Sequence, residues 1–218
     1  MSFEKVHRMK ANWNELENVL KANTTHNWKD DEIAYLRDAF EDIERMWAQG
    51  TIDIKRPSVI LIGEAPLYGA KRSYIYSPHI GHTSFLYLGD IPGADTNAVD
   101  KKAEMLKTMK TSGVIVVDLL PYALNEEDNP NYNYKKLNIK AYRKLIEAVF
   151  PICAKLRIEE LLERNPNAKL AFRYNRSEKA AGHLLRQYNS GNPIPSVSGT
   201  NMSMDRQKFH ALVGSVER

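Results

Sequence analysis

A chain of 218 residues with 43% hydrophobic content can bury one good core, which favours one globular domain with extra helices over two domains. Its net charge of +4 is too small to name a partner, but residues 135–218 hold 16 Lys and Arg against 7 Asp and Glu, whereas residues 1–134 hold 15 against 20. A basic C-terminal half suits a polyanion such as nucleic acid, whose counterions clustered cations displace, and suits a scattered solvated surface equally well.

In chain order, MSFEKVHRMK has no apolar h-region, and the runs VILI and VIVV are too short to cross a bilayer, so a soluble, cytoplasmic protein without a membrane partner is expected. Residues 2–22 read as a helix with Val6, Met9, Trp13, Leu16 and Leu20 on its inner face. A second helix, 30–49, spaces Ile33, Leu36, Phe40, Ile43 and Trp47 in the same way, with Gly50 just past its end. The β-branched runs SVILIG (58–63), GVIVVDLL (113–120) and KLAFRY (169–174) read as buried parallel strands. Between and after them lie helical patterns at 97–111, 138–163 with a break at Pro151, 177–188 and 203–213. Right-handed βαβ crossovers then give an α/β fold. The expected form is a three-layer α/β/α sandwich with a central, mainly parallel four-stranded sheet over 57–215, preceded by a helical extension over 1–50, all in a single domain. NEEDNPNYNYKK (125–136) reads as a surface loop. The lone Cys153 rules out an internal disulfide and a cysteine-rich metal or iron–sulfur site, and reads as a small apolar helix residue.

Ligands of such sheets sit beyond the carboxyl ends of the strands, which here means GEAP (63–66), DLLPY (118–122) and the loop after RYN (173–175). Gly63 and Pro66 suit a strand leaving a sheet into a tight turn. Glu64, at the mouth of the first strand, can orient or deprotonate a water, or simply accept hydrogen bonds from nearby backbone. A buried Asp118 must be protonated, paired with a base such as Arg173, or aimed at a donor. Arg173, Asn175 and Arg176 form a polar group at the same sheet edge, able to hold a phosphate or close a salt bridge. Arg206 and Lys208 read as solvated. No Walker loop, G-x-G-x-x-G or H-E-x-x-H is present, and no cofactor or metal is expected. The HIGH at 79–82 lies in a loop rather than at a helix start, so it does not make the chain a class I synthetase.

GEAP after an apolar strand resembles the first motif of the uracil-DNA glycosylase superfamily, a Gly-x-x-Pro turn that one branch writes Gly-Glu-Ala-Pro-Gly. GVIVVDLLPYAL is similar to that family's later strand, which ends in an Asn that reads the base. SYIYSPHIG (73–81) falls where the family carries a base-stacking aromatic, and PIPSVSGTN (193–201) where it carries a C-terminal His-Pro-Ser or Asn-Pro-Ser loop. The resemblance implies a monomeric DNA-repair hydrolase that excises a damaged, deaminated or mismatched base from double- or single-stranded DNA by cleaving its N-glycosidic bond. It makes Glu64 and Asp118 the catalytic residues. Gly63, Ala65, Pro66, Tyr76, His79, Arg173, Asn175, Pro195 and Ser196 would form the substrate site, with Tyr76 or His79 stacking on the extracted base. Three positions depart from the family pattern. Ala65 stands where another branch has a catalytic Asp, Asp118 replaces the Asn that pairs with uracil N3–H and O4, and Ile194 replaces the His that stabilises the leaving base. The departures leave open a nucleic-acid-binding module that has lost the chemistry, and a protein that binds a small nucleoside.

Overall fold

The computed structural model describes residues 12–67, 74–77, 86–123 and 137–214. Helix α1 (Trp13–Asn23) starts on Asn12, whose side chain accepts the Asn14 N–H at 3.0 Å. Helix α2 (Asp30–Thr51) opens with Asp30, Asp31 and Glu32, where the helix dipole favours negative charge. It does not stop before Gly50 but runs through it, and the glycine serves packing, because a Cβ there would collide with the ring of Tyr76.

Strands β1 (Val59–Gly63), β2 (Val114–Asp118) and β3 (Lys169–Phe172) form an open parallel sheet in the order β2-β1-β3. The register sets Gly63 opposite Asp118 and Ile62 opposite Phe172, which aligns the carboxyl ends of all three. Among the described residues the sheet therefore has three strands where four were expected. Beyond β3 there is one parallel bridge, Phe172 to Ser196, in which the Phe172 N–H donates to Pro195 O and the Val197 N–H to Phe172 O, both at 2.8 Å. Every residue of β1 and β2 is buried, so the side chains alternating to either face meet protein on both.

Helix α3 (Lys101–Ser112) begins on Asp100, whose carboxylate accepts the Lys102 and Ala103 N–H groups, and ends at Gly113 with φ 68°. A side chain could not follow that turn, since a Cβ would lie 2.8 Å from Ser58 N. The break at Pro151 falls as expected, in a 3-10 turn (Phe150–Ile152) between α4 (Ile139–Val149) and α5 (Ala154–Arg164). Helix α6 (Asn175–Leu185) follows β3 after Arg173 and Tyr174, and α7 (Arg206–Gly214) ends the described chain. Arg206 is tied down rather than merely solvated: its Nε donates at 2.8 Å to the buried carboxylate of Asp90.

Helices α3 and α5 pack on β2, α6 packs on β3, and α4 lies against α6 and α1. The N-terminal helices belong to this core. Leu16 and Leu20 are fully buried, the Trp13 ring lies 5.5 Å from Phe40, and the Tyr122 hydroxyl donates to Leu16 O at 2.6 Å. From α2, Trp47 Nε1 donates to Val116 O at 2.9 Å, while the Val116 N–H donates to the Tyr76 hydroxyl at 2.8 Å. Two side chains thus satisfy the backbone at the middle of β2, an outer strand of the sheet. No helix among the described residues is long and apolar enough to cross a membrane.

Candidate active site

Pairing between β1 and β2 continues past the strand ends, with the Leu119 N–H donating to Gly63 O at 3.3 Å and the Leu120 N–H to Glu64 O at 3.0 Å. The Glu64 backbone is therefore fixed beside Asp118–Leu120, and Ala65 and Pro66 are buried in the turn that follows. The Glu64 side chain is 12% exposed, with Arg176 Nη1 3.6 Å from its Oε1. Arg176 also lays its guanidinium 4.3 Å over the Tyr142 ring and donates from Nη2 to Leu137 O at 2.9 Å. Tyr142 of α4 and Ser177 of α6 are both fully buried. Burial, and after it the negative charge of Glu64, push the Tyr142 hydroxyl far above its ordinary value, so it stays a neutral donor. Ser177 and Glu64 both approach that hydroxyl, Ser177 as a donor to it and Glu64 as its acceptor.

Asp118 is 4% exposed. Burial pushes its carboxyl up to about 7, with the Arg157 guanidinium opposing the rise and Glu64 adding to it. Of the ways to bury this group, partial neutralisation is the one the structure uses, and the cation whose field reaches it is Arg157 of α5 rather than Arg173. Arg157 is itself ion-paired with Glu44 and lies 4.5 Å over the Trp47 ring. Arg173, fully buried, donates from Nη1 to Ser203 O at 3.2 Å and stacks 4.6 Å over the Tyr174 ring. Burial lowers its pKa.

The expected residues separate into two groups. Gly63, Glu64 and Asp118 stand together at neighbouring strand ends, where the charge of Glu64 helps to raise the Asp118 carboxyl. Tyr76 lies in the core, with its hydroxyl on β2, its ring against Gly50 and its edge toward Tyr74 at 5.7 Å. Asn175 is exposed at the first position of α6, and Pro195 is exposed with its carbonyl on Phe172. Ser196 Oγ accepts the Ser198 N–H at 3.2 Å, and Ile194 is buried. His79 lies outside the described residues.

Sequence reasoning missed Tyr142, Ser177, Arg157 and Tyr174. The half-buried Tyr174 feels Arg173 first among charges, then Glu64 and Asp118, which puts its hydroxyl amid the polar groups of the sheet edge. Its place directly after RYN's arginine was the one linear cue. Chemically, two carboxyl groups at adjacent strand ends, one paired with an arginine and one half-neutral near pH 7, can divide base and acid roles between them. Among the described residues, no group of three or more His, Cys, Asp and Glu side chains is arranged to hold a metal ion. Compared with known protein families, with curated proteins and with solved structures, the chain matches none.

Proposed function

We propose that the chain is a hydrolase of the N-glycosidic bond, a cytoplasmic monomer that removes a damaged, deaminated or mismatched base from DNA in base-excision repair. The observation that carries this reading is the carboxyl pair: Glu64 beside Arg176, and Asp118 pushed up to about 7 by burial at the adjacent strand end. A base hidden by stacking must be swung out before its bond can be cut. Water then bonds to C1′ and gives its proton to Glu64, while the C1′–N electron pair leaves with the base, which takes a proton from solvent as Glu64 releases its own. Neutral Asp118 donates a hydrogen bond to the departing base and offsets its charge, a task that the apolar Ile194 leaves open. In that state Asp118 offers one donor and one acceptor, as an Asn would, so uracil is among the bases it can read below pH 7. With Tyr76 in the core, stacking on the extracted base falls to Tyr174. The bridge from Phe172 to Ser196 supports the fourth strand, and the three-layer sandwich, that this reading brings with it.

The burial of Tyr76 and Ile194 favours a second reading, a nucleic-acid-binding module without chemistry. Oligonucleotides carrying uracil, hypoxanthine, xanthine or alkylated bases, incubated with the protein and then treated with alkali, separate the two. The hydrolase breaks at least one of them, and Glu64→Gln slows it by roughly 10²–10⁴-fold. Intact strands throughout, with salt-sensitive binding that Glu64→Gln leaves unchanged, would establish the binding module instead.

A further inference from the structure

We propose that the outward faces of α4 and α6 form one basic ridge that binds the phosphate backbone of a DNA strand. The inference rests on the hydrolase reading only for its last step, that the strand so held is the one whose base reaches Glu64. The two helices pack together and run in the same direction. Arg143 Nη2 donates to Lys179 O at 2.8 Å and, four residues further along each helix, His183 Nε2 lies 2.9 Å from Glu147 Oε1. One turn before the first of these contacts stand Lys140 and Arg176, and Lys144 follows Arg143. Lys140, Arg143, Lys144 and Lys179 are exposed, and none is ion-paired with a described residue. Arg176 continues the row to the candidate site, where its Nη1 lies 3.6 Å from Glu64 Oε1.

Other helices of the chain neutralise their surface cations. Lys21 of α1 pairs with Glu17, Arg45 of α2 with Asp42, Lys107 of α3 with Glu104 and Lys155 of α5 with Glu159, each partner three or four residues away. On α4 the sequence does the reverse. Lys140 and Lys144 are like charges four residues apart, which weakens a helix, and Lys140 stands in a first turn without an acidic residue, where the dipole disfavours a cation. Glu147, the acidic residue on the same face, is held by His183. Cations kept together against the interest of their own helix fit an anionic partner. Ile139 is the one large apolar side chain exposed on these two helices, so the face offers charge without the apolar stripe that a lipid surface takes up. A phosphate backbone suits it, since each cation that neutralises a phosphate releases condensed counterions and reads no base. The basic C-terminal half of the sequence thereby gathers part of its charge beside the candidate site.

Binding of the full chain to a fluorescent DNA duplex, titrated over a series of salt concentrations, tests the ridge without reference to activity. The variant combines Lys140→Gln, Lys144→Gln and Lys179→Gln, and keeps Arg143, whose bond to Lys179 O joins the helices. A control combines Lys55→Gln, Arg56→Gln and Lys169→Gln, the same loss of charge from exposed side chains at the amino ends of β1 and β3. The ridge variant should bind roughly tenfold or more weakly at low salt, and its salt slope should flatten by about 1 for each lysine removed. The control should bind within about twofold of wild type. A ridge variant that binds like wild type, or a control that loses as much, overturns the proposal. So does a wild type that binds no duplex, whether or not it binds vesicles of phosphatidylcholine and phosphatidylserine. The last step is tested on whichever oligonucleotide the wild type cuts, where the ridge variant should raise KM about tenfold and leave kcat within about twofold. Cleavage with a ridge variant indistinguishable from wild type removes the ridge and leaves the hydrolase standing. If the wild type cuts nothing yet its binding depends on the ridge, the hydrolase reading fails and the ridge stands.

Discussion

Asp118 titrates in the middle of the physiological range because burial penalises its charged form more than Arg157 favours it. Its folded value, about 7, lies above the ordinary 3.8, so between those limits the folded state binds more protons than the unfolded chain. Stability therefore falls as pH rises from about 4 to about 7 and levels off above. Asp118→Asn removes this loss. Denaturant titrations should find the variant more stable than wild type at pH 8, by a few kcal/mol at most, and equal to it near pH 3.5; a constant difference at all pH values would contradict the assignment. Both carboxyl groups were legible in the sequence, since an apolar run followed by a turn reveals where a strand ends. Their partners were not. Arg173 adjoins β3 in sequence and invites pairing with Asp118, yet Arg157 supplies the field, because the packing of α5 on β2 decides which cation is near. Tyr142 and Ser177 carry no motif, and only the meeting of α4 with α6 makes them neighbours of Glu64.

The first helix, expected over 2–22, begins at Trp13 behind the Asn12 cap, with Val6 and Met9 outside the described residues; the other elements were legible to within a few residues wherever an apolar period ran unbroken. All three strands fall inside their expected spans, and the start of α3 at Lys101 rather than 97 follows from the Asp100 side chain, which caps the helix there. Gly50 misled because glycine after a helical pattern ordinarily marks its end. Here the residue sits inside α2 to admit the Tyr76 ring, so a substitution that favours helices should harm the protein. Gly50→Ala gains roughly 1 kcal/mol of helix propensity and should still destabilise by about 1–3 kcal/mol through overpacking, as measured by urea unfolding. Tyr76→Phe relieves that contact not at all and removes the acceptor of the Val116 N–H. It should cost about 1–3 kcal/mol and speed hydrogen exchange at Val116; protection equal to wild type would mean that the hydroxyl does not hold the edge of β2.

At the scale of the molecule, the sequence suggested a helical extension ahead of an α/β core, because periodicity reveals a helix's apolar face but not what covers it. In the structure α1 and α2 supply part of the core itself, with Leu20 fully exposed to none of the solvent and Trp47 hydrogen-bonded to β2. Leu20→Ala should therefore cost about 2–5 kcal/mol of global stability, with one cooperative transition by both fluorescence and circular dichroism. Separate transitions by the two probes would show the N-terminal helices folding on their own. The same unity gives Cys153 a use. It is the chain's only cysteine, it lies buried at the start of α5, and burial pushes its thiol up to about 12. An alkylating reagent can reach it only when the packing around α5 opens, so the speed of alkylation is a built-in clock for the unfolding of the whole protein.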